Sequence, residues 1–229
     1  MLLKTGCMAK KKYIKEMEAG NYIFAISLIA QEMETENNPE LYYNLGICCI
    51  RTGNYKKCIS VFNELLEKFP GFIHRAHIYE LIIYSNIMEK KYTIALQHIQ
   101  ERLSINAQDE KILSFQAFCE EQSGQQEKAI LTHRKILELN PENTNSQNSL
   151  AFLLVHNRKP DNTEIEESIR SIKKAMSATK TNPAYLDTLG VILKKTGKIK
   201  EARTAFEKAL GYAPGESEIL NHLKEISKL

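Results

Sequence analysis

Internal repetition is the feature that most restricts what this chain can fold into. The phrase Gly-Asn-Tyr-Lys-Lys-Cys-Ile at 53–59 returns in related form after Gly20, Gly124 and Gly197. Its small residue falls at Ala25, Cys58, Ala95, Ala129, Ser168 and Ala202, with separations of 33, 37, 34, 39 and 34 residues. A period near 34 is the length of one supersecondary unit that cannot cover its own apolar faces and must stack on its neighbours. Within a period, apolar residues recur at three- and four-residue steps on both sides of the glycine, as Tyr42, Leu45 and Cys49 before it and Cys58, Phe62 and Leu65 after it. That pattern predicts helix, turn, helix. The glycines supply a left-handed residue that ends the first helix at no steric cost. All six prolines (Pro39, Pro70, Pro141, Pro160, Pro183 and Pro214) fall between helical patterns, and no period-two strand pattern competes.

Leu-Tyr-Tyr-Asn-Leu-Gly at 41–46, with Cys58, Phe62 and Pro70, resembles the tetratricopeptide repeat. Leu189-Gly190, Gly197, Ala202, Phe206, Ala209 and Pro214 stand at that family's spacings again. The resemblance is to repeats of bacterial type and spans about six units, 6–38, 39–72, 76–109, 110–143, 144–182 and 183–216, with 217–229 similar to the family's terminal capping helix. It implies an all-α fold, a right-handed superhelical α-α solenoid of stacked helix-turn-helix repeats, forming a single domain over 1–229 with about thirteen helices. Two departures stand out: Lys12 and Glu16 occupy apolar positions of the first unit, and the third lacks both the Gly and Pro signatures. Three extra residues around 71–75 and five around 159–163 read as loop insertions, and Asp161 to Glu164 offers capping residues for a helix starting near Ile165. Ser217 is a similar start for the last helix. The stretch from Leu150 to the C-terminus is also similar to repeats often found in envelope-associated proteins.

Composition narrows the function classes. With 31 Lys+Arg against 28 Asp+Glu, the net charge of +3 provides no field for nucleic acid or an anionic membrane, and no apolar run is long enough to span a bilayer. The five cysteines, Cys7, Cys48, Cys49, Cys58 and Cys119, lack the spacing of a disulfide framework and fit a reducing compartment. Thr5-Gly6-Cys7 has no apolar run before it, so a cytoplasmic location is expected, or a periplasmic or membrane-associated one if an export signal has been trimmed. No CxxC pair and no histidines at i,i+4 spacing suggest a metal, and no cofactor is implied. Gly190 to Lys198 imitates a phosphate loop, but six residues separate its glycines and Ile199 follows the lysine. Catalytic signatures are absent, so the chain is expected not to be an enzyme. Lys10-Lys11-Lys12 reads as a solvated face, and Cys48, Cys49 and Cys58 as packing residues.

The resemblance implies that the first helix of each unit lines a concave face, with the fifth, ninth, twelfth and thirteenth residues pointing inward. The ninth column reads Ile14, Ile47, Tyr84, Phe118, Phe152 and Val191, apolar throughout. Met17, Tyr43, Ile50, Arg51, Ile87 and Met88 extend it in the first half, whereas Asn148, His156, Asp187, Lys194 and Lys195 make the second half polar. Such a strip is either a partner site or packing between first helices. Of the family's carboxylate-binding set only Asn44 is present; Ile14, His77 and Leu81 replace its companions, which argues against a carboxylate clamp. The expected function is a non-catalytic protein–protein interaction scaffold or adaptor, with a groove of Ile14, Met17, Tyr43, Ile47, Ile50, Arg51, Tyr84, Met88, Phe118, Phe152 and His156 that takes an apolar or amphipathic protein or peptide segment. The alternatives are a self-assembling homo-oligomeric module and a regulatory or accessory domain of an envelope or enzyme complex.

Overall fold

A computed structural model describes residues 11–156 and 159–227. Cys7 and Lys10 lie outside the described residues. Thirteen α-helices and no strand occur among the described residues. Contacts divide the chain into an N-terminal unit ending at Ser104 and a C-terminal unit beginning at Ile105.

The N-terminal unit holds α1 (Lys12–Glu18), α2 (Tyr22–Met33), α3 (Pro39–Arg51), α4 (Tyr55–Lys68), α5 (Arg75–Met88) and α6 (Tyr92–Ile105). α1 packs on α2, α2 on α3, α3 on α4 and α4 on α5. Its core centres on Leu41, Phe62, Leu65, Ile78 and Ile82, all within 1% of complete burial. Lys11 donates to Glu32 and Glu36, and Lys12 lies over the Phe24 ring, so both described lysines of the basic run are tied to α2 or the turn after it.

The C-terminal unit holds α7 (Glu110–Gln122), α8 (Gln126–Leu139), α9 (Thr144–Val155), α10 (Asn162–Ala178), α11 (Pro183–Lys195), α12 (Ile199–Tyr212) and α13 (Ser217–Ile226). Each odd helix packs on the next even one, α9 also touches α11, and α13 closes on α12. Phe206, Leu150, Leu154, Ile172 and Ile192 form its core.

Local chemistry sets the helix limits. Asn38, Asn54, Asp109, Asn143 and Asn182 each accept a backbone N–H from the first turn of the helix they precede, satisfying donors that have no intrahelical partner. Asp161 and Glu164 form a reciprocal capping box, so α10 starts at Asn162, three residues before the position expected from its apolar pattern. Pro39 and Pro183 open α3 and α11 at the first helical position, where a missing N–H costs nothing. Gly20, Gly53, Gly124 and Gly197 have φ between 70° and 80°. In the third pair Lys90 takes this role at φ 57°, with Lys91 N–H bonding back to Asn86 as Asn54 N–H does to Cys49.

Small residues let the helices approach. Ala25, Cys58, Ala95, Ala129, Ser168 and Ala202, the column that defined the period, are all completely buried. Gly46 of α3 faces the Phe62 ring and Gly190 of α11 faces Phe206, each so closely that a Cβ would overlap ring carbons. Gly190 is therefore a packing residue and Gly197 a turn residue, which accounts for both glycines of the apparent phosphate loop. Cys48, Cys49, Cys58 and Cys119 are buried free thiols. Burial pushes Cys48 and Cys58 up to about 11 and Cys119 up to about 12.

Two stability outcomes are expected in urea unfolding. Gly46→Ala should destabilise the protein by about 1–3 kcal/mol, because the added Cβ overlaps the completely buried Phe62 ring, which must shift to make room. Lys90→Gly should stabilise it by about 0.5–1 kcal/mol, by relieving a left-handed non-glycine residue.

Candidate partner-binding site

In the N-terminal unit the first helices of the pairs are α1, α3 and α5. Ile14 and Met17 of α1 and Tyr43, Ile47 and Ile50 of α3 are all half-buried and pack against that unit's core. Arg51 is exposed in the last turn of α3. Tyr84 of α5 is half-buried and sits edge-on to Tyr55, with ring centres 6.0 Å apart. Met88, one turn on, is 44% exposed.

Tyr43 is the centre of an aromatic cluster. His74 stacks on it at 5.1 Å, Phe72 approaches at 5.7 Å, and its hydroxyl shares a 2.7 Å hydrogen bond with His77 Nδ1. Burial raises the phenol's pKa. Phe72 and His74 belong to the first loop insertion, which therefore folds back as a wall beside α3. Asn44 donates its side-chain N–H to Glu40 O within its own helix.

In the C-terminal unit the corresponding helices are α7, α9 and α11. Phe118 of α7 is 43% exposed. Phe152 of α9 is half-buried, and the His156 ring stacks on it at 4.3 Å with 20° between planes. His222 of α13 lies 6.1 Å from His156 and 5.5 Å from Phe206. Its Nδ1–H donates to the Asp187 carboxylate of α11 at 2.9 Å and 3.1 Å, with both residues buried. Lys194 of α11 pairs with Glu225 of α13 at 2.6 Å. These two links fix α13 to α11.

Two recesses open beside these rings. One of about 450 Å³ is lined by Glu121, Asn148, Phe152, Asp187, Glu218 and Ile219, among others. The other, about 300 Å³, is lined by Val155, His156, Val191, Lys194, Lys195, His222 and Glu225. Asn148 Oδ1 is buried with no hydrogen-bond donor among the described residues. The sequence places the richer apolar strip in the N-terminal half; there most of its side chains cover the core, whereas these recesses lie in the polar half. Among the described residues no cluster of His, Cys, Asp and Glu could hold a metal ion.

The links Tyr43–His77 and Asp187–His222 were not anticipated from sequence. Their partners stand 34 and 35 residues apart, about one period. Pairing polar residues one repeat apart would have found both.

The Asp187 hydrogen bond raises the pKa of His222 above its ordinary 6.5. The stabilisation from this pair is therefore complete below about pH 6.5 and is lost as pH rises through the folded-state value. His156 runs the other way: burial and then the His222 charge lower its pKa, so its contribution is present above pH 6.5 and falls as pH drops. His222→Gln should cost about 1–3 kcal/mol near pH 5.5 and less near pH 8.5, because only the charged imidazole gains the ion pair. Urea unfolding of both proteins at the two pH values checks this, and an equal loss at both would contradict it.

Tetratricopeptide-repeat family models match residues 39–72 and 184–216. No curated protein sequence matches the chain significantly. Among solved structures, a tetratricopeptide repeat protein from Parabacteroides merdae superposes with a TM-score of 0.72 at 14% identity, over 83% of this chain and 72% of its own. YrrB, a TPR protein with an unusual peptide-binding site, gives 0.64 at 13% identity over 96% of this chain and 100% of its own. MamA from Desulfovibrio magneticus gives 0.62 at 19% identity over 73% and 91%. Helix-turn-helix pairs repeating near 34 residues, buried small residues, left-handed glycine turns and two family-model matches lead to one conclusion: the chain carries tetratricopeptide repeats at 39–72 and 184–216 and has the fold of solved tetratricopeptide-repeat proteins.

Proposed function

We propose that this protein is a non-catalytic protein–protein interaction scaffold that binds an apolar or amphipathic segment of a partner over the first helices of its repeats. The observation that carries the reading is the ninth-position column. Ile14, Ile47, Tyr84, Phe118 and Phe152 keep solvent-reachable apolar surface although each sits on a helix whose opposite side is core. Water-exposed aromatic and sulfur-bearing side chains on a preformed helical face are the residue types that dominate binding energy in helix-in-groove recognition. In the N-terminal unit the anchors are Tyr84 and Met88 with Arg51 at the polar rim, and in the C-terminal unit they are Phe118 and Phe152 with His156 at the rim. YrrB, a TPR protein of similar fold, has a peptide-binding site, which supports the reading by likeness of fold.

A peptide-library selection on the wild-type protein, followed by affinity measurement on the selected peptides, tests it. The triple variant Tyr84→Asp/Met88→Glu/Phe118→Asp should weaken binding at least about tenfold, equivalent to about 1.4 kcal/mol. Its melting temperature should fall by no more than about 4 °C, because none of the three side chains is fully buried. Unchanged affinity in a folded variant would overturn the reading.

A further inference from the structure

The C-terminal unit has a third recess, lined mainly by its second helices. Lys173 and Met176 of α10, Lys180 in the turn after it, Leu186 of α11, and Lys208 and Tyr212 of α12 enclose about 690 Å³. On α10, residues 173 and 176 are three apart, and on α12, residues 208 and 212 are four apart, so on each helix the lysine and the apolar residue share one face. Leu186 is 6% exposed and Met176 half-buried, which makes an apolar floor continuous with the core, while Tyr212 stands at the rim 57% exposed.

Charge is what selects the occupant. Every ionisable side chain lining the recess, apart from the Tyr212 phenol, is a lysine, and among the described residues no carboxylate reaches Lys173, Lys180 or Lys208. The neighbouring Lys174, by contrast, is paired with Glu142 at 3.0 Å. Three unneutralised cations around a recessed apolar floor leave a local positive potential that a chain of net charge +3 does not reveal. Shape then separates two anionic surfaces. A bilayer is approached by apolar side chains that protrude, and here the apolar groups are sunken. The recess is instead of the size that receives a protruding side chain with its neighbours.

We propose that this lysine-rimmed recess of α10, α11 and α12 docks an acidic segment of a partner protein, in which an aromatic or large aliphatic side chain enters the floor and flanking carboxylates meet the lysines. The apolar contact holds the segment, and the charges set partner choice and association rate. This surface is separate from the first-helix anchors, so the inference does not rest on the function proposed above.

The probe is a labelled synthetic peptide with one phenylalanine between runs of aspartate and glutamate, titrated into the full chain by fluorescence anisotropy. Saturable binding is expected, weakening as salt rises from about 50 to about 500 mM. Replacing the phenylalanine by serine should weaken it as well. Lys173→Glu/Lys180→Glu/Lys208→Glu should reduce affinity at least about tenfold, with the corresponding glutamine variant in between. All three lysines are exposed and unpaired, so circular dichroism and melting should match wild type. The triple variant Tyr84→Asp/Met88→Glu/Phe118→Asp should bind this peptide normally, so the two proposals fail separately. No binding, or binding that the lysine reversals leave unchanged, would overturn the inference. So would lysine-dependent binding to phosphatidylserine-containing vesicles in place of the peptide, which would make the surface a membrane contact.

Discussion

Everything in this protein depends on how closely two helices of a pair can approach. A helix pair of this kind is apolar on more than one face, and it becomes stable only when backbones come near enough for side chains to fill the gap between them. The structure meets that requirement with absences: the missing side chains of Gly46 and Gly190 make room for Phe62 and Phe206, both completely buried. The completely buried column of Ala25, Cys58, Ala95, Ala129, Ser168 and Ala202 does the same one helix later. Because ring and glycine stand 16 residues apart in each case, the turn between them must return the chain at one angle. Left-handed Gly53 and Gly197 supply that angle in these two pairs, as Gly20 and Gly124 do in two others, and Lys90 accepts the strain in the third pair, where no glycine is available.

This logic explains why the fold was legible in the sequence. Period, turn glycines, small residues and helix-bounding prolines are local features, and each one is imposed by packing that every repeat shares. The surface was much less legible. Tyr43 and Ile47 read as open groove because they are apolar at an inward position, yet they lie half-buried against the core, with Phe72 and His74 stacked beside Tyr43. Whether an apolar side chain on a first helix is floor or wall depends on the loop insertion next to it, and an insertion of three residues has no periodicity to be read.

The pairs that tie one repeat to another were illegible for a different reason. Asp187 and His222 look like a solvated acid and an isolated histidine, and only stacking brings them to 2.9 Å in a buried site. The same stacking removed Lys11 from the solvated basic run by pairing it with Glu32 and Glu36, while it left Lys173, Lys180 and Lys208 without acids. A net charge near balance thus hides an uneven distribution. In the C-terminal unit the recesses of the first helices mix carboxylates, histidines and the lysines Lys194 and Lys195, whereas the recess of α10 and α12 has lysines and no carboxylate.

The buried thiols carry a consequence for following the protein in solution. Cys48, Cys49 and Cys58 lie in the N-terminal unit and Cys119 in the C-terminal one, all sealed from solvent and with pKa values raised by burial. A thiol of that kind reacts with an alkylating reagent only after its surroundings open and its proton can leave. Each unit therefore contains its own native clock, and mass-resolved alkylation at these four positions would time the opening of one set of repeats independently of the other, without any engineered label.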